Sequence, residues 1–164
     1  MQPQTKPTRS VPGKARDTLV KILDHVLRDE CSLSAATREY RWKVTGPNLY
    51  SLHRLFDEQR RQLDYWLEKV VEQTRAIGLA ARIPFVQERL DCEGSSASGP
   101  LPAGNVVDDL LERHEQMAER LRLDIERLAE PSTAALLTRL LEFHETTAWM
   151  LRMVSGGSDK DRRA

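Results

Sequence analysis

RWKVTGPNLYSLHRLFDEQRRQLDYWLEKVVEQTRAIG, from Arg41 to Gly78, is the stretch whose reading decides the fold. Gly46 and Pro47 break the chain, and from Leu49 the residues Leu52, Leu55, Phe56, Leu63, Trp66, Leu67, Val70, Val71 and Ile77 recur at helical spacing until Gly78. The pattern predicts one long amphipathic helix with a glycine stop.

The polar side of the same helix carries a second pattern. At about 100° per residue, Asp57, Asp64, Glu68 and Glu72 fall within roughly a quarter turn of His53. His53 with Asp57, and Glu68 with Glu72, each lie one turn apart and can each grip one cation. The centres of the two pairs are about 15 residues apart, roughly 22 Å of helix, so one chain cannot close a site with all four. Two copies of the helix, antiparallel across a two-fold axis, would set His53 and Asp57 of one against Glu68 and Glu72 of the other. Charged residues one turn apart are more often a solvated face, so residue types alone leave both readings open.

The string itself resembles the signature of the Dps family, the small ferritin-like cages of starved bacteria. That signature runs His-Trp-Asn, then Gly, then His with Asp four on, then Asp with Glu four on. Trp42, Gly46, His53, Asp57 and Glu72 match it, and Glu68 replaces the family's Asp. EFHETTAWMLRMV, from Glu142 to Val154, is similar to a second family block. The resemblance extends over roughly residues 15 to 156. It implies an all-α, ferritin-like four-helix bundle, with a long crossover between helices two and three that carries a short helix, assembled from two-fold dimers into a dodecameric cage.

One departure stands at the centre of the signature. Where the family has its first histidine ligand this chain has Arg41, and Lys43 replaces the Asn after Trp42. A guanidinium stays protonated and offers no lone pair, so Arg41 is not a ligand. It brings positive charge to the iron position and can pair with a neighbour's Glu68 or Glu72.

Composition agrees with helices and bounds the partners. The 164 residues make one domain, 40% apolar and 30% charged, with Lys+Arg equal to Asp+Glu at 25 each. No whole-molecule field draws the chain to nucleic acid, so any such attraction is local. Cys31 and Cys92 show neither a disulfide framework nor metal spacing and read as thiols of a reducing compartment. With no secretory leader and no membrane-length apolar run, the expected compartment is the cytoplasm, and the resemblance adds association with the nucleoid.

Residues 1–16 hold three prolines, no acid, and the cations Lys6, Arg9, Lys14 and Arg16. They read as a mobile basic arm, either a plain leader or a non-specific, salt-dependent DNA contact multiplied by the cage. The bundle is expected over 17–156. Asp17 is the expected start of the first helix, with Leu19, Ile22, Leu23, Val26 and Leu27 on its inner face and His25 beside them as a core or interface residue. Trp42 reads either as a neighbour of the stripe or as a core anchor. The proline- and glycine-rich connection after Gly78 suits a crossover between parallel helices, with a short helix over 85–90.

Asn105 is the expected cap of the third helix, and Pro131 the start of the fourth, which Gly156 and Gly157 should stop before a flexible tail, 157–164. Met117, Met150 and Met153 read as core. Neither His114 nor His144 belongs to a Glu-x-x-His spacing, which argues against a di-iron centre within one chain. Ala135 stands where the resemblance places an acid lining the three-fold pores, leaving Glu130 as the nearby carboxylate.

The function the resemblance implies is that of a cage that binds ferrous iron, oxidises it with peroxide, stores ferric iron (Fe2+/Fe3+) and protects DNA. Its metal ligands would be His53, Asp57, Glu68 and Glu72, with activity weakened by Arg41. The alternative is a non-enzymatic cage or DNA-compacting paralogue in which Arg41 replaces the metal by ion pairs.

Overall fold

The apolar stripes produce four long helices. The computed structural model describes residues 13–79 and 99–161, the side chains of 157–161 excepted. Its elements are α1 (Gly13–Lys43), β1 (Val44–Thr45), α2 (Leu49–Ala76), β2 (Leu101–Pro102), α3 (Ala103–Arg127) and α4 (Pro131–Asp161). Helix α1 packs chiefly on α2, and α3 on α4. Among the described residues no helix is long and apolar enough to cross a membrane.

Two short strands, absent from the sequence reading, orient the halves. β1 and β2 pair in parallel, Val44 with Leu101 and Thr45 with Pro102. β1 leads into α2 and β2 leads directly into α3, so both helices leave from the same end of the bundle and run the same way. A long crossover is the necessary consequence. The short helix expected over 85–90 lies outside the described residues, as do Cys92, Lys6 and Arg9.

Backbone chemistry fixes the ends of α2. Gly46, at φ 131°, and Asn48, at φ 62°, make the turn before it. A Cβ on Gly46 would lie 3.5 Å from that of Ala103, so the left-handed backbone conformation, more than space, demands glycine there. At the other end Gly78 takes φ 75°. Its N–H bonds Arg75 O at 2.9 Å and that of Leu79 bonds Thr74 O at 3.0 Å, the paired closure of a glycine-terminated helix.

Three helix ends differ from the sequence reading. α1 begins at Gly13, ahead of Asp17, so Lys14 and Arg16 are helical. α3 begins at Ala103, because the β1–β2 pair delivers the chain there, and Asn105 lies inside its first turn. α4 continues through Gly156 and Gly157 to Asp161. A glycine weakens a helix by only about 1 kcal/mol and ends one when it turns left-handed, as Gly78 does.

The core is divided in two. Leu19, Ile22, Leu23, Val26 and Leu27 cluster with Leu67, Val70, Met117, Leu121, Leu137 and Leu140. Leu33, Val44, Leu52, Phe56, Leu63, Val106, Leu110 and Leu151 form the second cluster. Met117 is core as read, whereas Met150 and Met153 are exposed at 37% and 57%, on the far side of α4 from Leu151.

Candidate metal centre

The polar stripe of α2 lies on the outside of the subunit. His53 and Asp57 are half-buried, and Glu68 and Glu72 are exposed. Among the described residues of the single chain no three His, Cys, Asp or Glu side chains gather to hold a metal. The two halves of the stripe do not meet within one subunit, as their separation along the helix requires.

Basic residues engage the stripe instead. Arg41, from the last turn of α1, sets Nε 2.8 Å from Asp57 Oδ1. Its N–H does not point along that line, for Nε is buried with no aligned acceptor, so the contact is Coulombic rather than a directional hydrogen bond. The partner is thus Asp57 of the same chain; within a single chain the pairing with Glu68 or Glu72 is not formed. Arg41 also lies over the ring of Trp42, 4.9 Å from its centroid. Trp42 is 75% exposed, which removes the core-anchor reading and leaves it beside the stripe. Lys43 pairs with Glu39. Lys69 donates to Glu72 at 2.8 Å, and Asp64 accepts from Ser34 and Arg60, each at 2.8 Å.

Glu130 is a carboxylate already in use. It accepts from the backbone N–H and hydroxyl of Ser132 and from the backbone N–H and hydroxyl of Thr133, capping α4. Burial alone would raise its pKa, but these hydrogen bonds outweigh burial and hold it at about 2. Within one subunit this carboxylate is thus taken up as a cap and is 7% exposed.

The structure also assembles a polar cluster that the sequence reading missed. Glu30 of α1, His114 of α3 and His144 of α4 are at most 1% exposed. His144 Nε2 lies 2.7 Å from Glu30 Oε1, and the Nδ1 atoms of His144 and His114 are 2.9 Å apart. With the carboxylate accepting, the Nε2 proton of His144 is fixed, and the two Nδ1 atoms share one proton. Burial first, and the neighbouring His144 second, push the pKa of His114 well below 6.5. Glu30 Oε2, His114 Nε2 and both amide atoms of buried Gln59 on α2 have no hydrogen-bond partner. A signal was present: Glu30 sits three residues from both Leu27 and Leu33, and His114 three from Met117, all in phase with the apolar stripe. His25, by contrast, bonds Asp124 at 2.6 Å and is half-exposed.

Four helices in two antiparallel pairs, a long crossover and an outward stripe of metal-type donors define a ferritin-like subunit. The ferritin-like domain model matches residues 20–156. A low temperature-induced protein of Nostoc sp. (strain PCC 7120) is 32% identical over 84% of this chain and 79% of its own length. The DNA protection during starvation protein of Agrobacterium fabrum is 24% identical over 89% of this chain and 93% of its own. The crystal structure of Dps92 from Deinococcus radiodurans superposes with TM-score 0.76 at 20% identity, over 86% of this chain and 87% of that one. This chain belongs to the ferritin-like domain family, as a member of its Dps branch.

Proposed function

We propose that the chain is the subunit of a DNA-protecting, iron-handling cage, a hollow dodecamer built from two-fold dimers. Ferrous iron is the substrate, held at the dimer seam by His53 and Asp57 of one subunit and Glu68 and Glu72 of the other. The observation that carries this reading is the surface position of the α2 stripe. Its two halves are too far apart to meet in one chain, and exposed Trp42, Leu49, Tyr50 and Tyr65 lie on the same two helices. Covering such apolar surface favours association by about 25 cal/mol per Å².

Imidazole and carboxylate suit ferrous iron and leave positions open for an oxidant. Two ferrous ions each give one electron to a peroxide, its O–O bond breaks, and with two protons two waters leave. Arg41 competes with the metal for Asp57, so binding is weaker and oxidation slower than with a neutral donor at that position. DNA is held non-specifically by the basic N-terminal segment, through Lys6 and Arg9 ahead of α1 and Lys14 and Arg16 in its first turns.

The Arg41–Asp57 ion pair favours a second reading, in which the cage compacts DNA without oxidising iron. Anomalous diffraction from crystals soaked in Fe(II) separates the two. Iron between His53 and Glu72 of the partner subunit supports the first; an empty seam crossed by the Arg41 pair supports the second.

A further inference from the structure

We propose that the buried pair His114 and His144 is a second metal site, inside each subunit, for a single divalent d-block cation of the zinc or ferrous class. It is independent of the dimer seam and uses none of the seam residues.

The geometry is that of two imidazoles facing each other through their Nδ1 atoms. His144 is oriented through its Nε2–H, which Glu30 accepts at 2.7 Å, so its Nδ1 faces His114. A carboxylate on the far nitrogen is the usual support of a metal-binding histidine, fixing its tautomer and raising its basicity. The facing Nδ1 atoms are 2.9 Å apart. A cation about 2.0–2.1 Å from each would subtend roughly 90° at the metal, the angle between neighbouring positions of a six-coordinate ion; parting the rings by a few tenths of an ångström would give the tetrahedral angle.

Proton balance allows the exchange. The cation takes the place of the one proton shared between the rings, and that proton moves to His114 Nε2, which is buried and unpartnered. The unused Glu30 Oε2 adds a second polar atom that a dry core leaves at a cost of about 1–3 kcal/mol. Among the described residues no third His, Cys, Asp or Glu converges on the same point, so water would have to complete the site. A depression open to solvent lies between α1 and α3, lined by Asp29, Leu33, Arg113 and Met117, and Glu30, His114 and His144 are buried behind it. Glu30 is a positioning residue here, acting through His144.

The test uses the full-length assembly, stripped with a chelator and titrated with Co(II), whose visible absorption reports its donors. Two binding events are expected in the native protein. One survives the double variant Asp57→Asn, Glu72→Gln, which disables the seam, and is lost in His114→Phe. Glu30→Gln should weaken that event about 10–100-fold while leaving the band in place. Should His114→Phe fail to fold, native crystals soaked in Co(II) decide: an anomalous peak bridging the two Nδ1 atoms supports the site. A water or nothing at that point, or Co(II) uptake abolished by the seam variant alone, overturns it.

Discussion

Arg41 Nε lies 2.8 Å from Asp57 Oδ1, so the cation that replaces a family ligand neutralises one of the carboxylates that ligand would have worked beside. The contact is between two helices of one chain and needs no partner subunit to form. In the proposed cage it would oppose iron at the dimer seam.

Arg41→His therefore restores a neutral nitrogen donor and releases Asp57. Fe(II) oxidation by peroxide, followed by ferric absorbance, should accelerate by about tenfold or more, the change that about 1.4 kcal/mol produces. An unchanged rate would mean that Arg41 does not limit the site.

Glu30→Leu leaves the Nε2–H of His144 buried without an acceptor. Breaking a buried pair from one side costs about 3–5 kcal/mol, so the urea midpoint should fall sharply. The double variant Glu30→Leu, His144→Leu removes both polar partners and should recover part of that loss; a loss equal to the sum of the single variants would show the pair to be uncoupled.

Acid should weaken the subunit through His114. Its folded pKa lies well below the 6.5 of the free side chain, because burial disfavours the imidazolium. The unfolded chain takes up the proton first as pH falls below 6.5, so stability present above 6.5 is lost at up to about 1.4 kcal/mol per pH unit until the folded pKa is reached. Equilibrium unfolding from pH 7 to pH 5 should show this slope, and His114→Phe should reduce it.

Glu130 acts in the same direction at lower pH. Its folded pKa of about 2 against 4.5 unfolded gives stability that is full above pH 4.5 and lost as pH falls toward 2. Glu130→Ala should cost about 1–2 kcal/mol as a lost helix cap, measured by denaturation at neutral pH. Iron entry should be unaffected, since the carboxylate is taken up as a cap; slowed uptake in Glu130→Ala would place it at the pore.

The DNA contact should depend on the arm ahead of α1. Because the helix begins at Gly13, a deletion of residues 1–12 removes Lys6 and Arg9 without cutting into it. Gel retardation present at low salt should disappear in the deletion and weaken steeply with salt in the intact protein. Retardation that persists would move the contact to Lys14, Arg16 or the C-terminal end.

Helix positions were legible because an amphipathic period is local. Leu49, Leu52, Phe56, Leu63, Leu67 and Val70 announce α2, and Gly78 announces its end, from spacing and backbone freedom alone. One helix end that differed depends on a distant contact: Ala103 starts α3 because Leu101 and Pro102 pair with Val44 and Thr45, residues remote in the chain.

By itself the sequence determined four amphipathic helices and the stripe from His53 to Glu72, both set by side-chain type and helical period, while resemblance to the family marked Arg41 as a departure. Only the tertiary structure decided that Arg41 meets Asp57, that Glu130 is consumed as a cap, and that Glu30, His114 and His144 meet in the core. Those three come from three different helices, and no period along one helix records which polar residue of another will face it once the bundle closes.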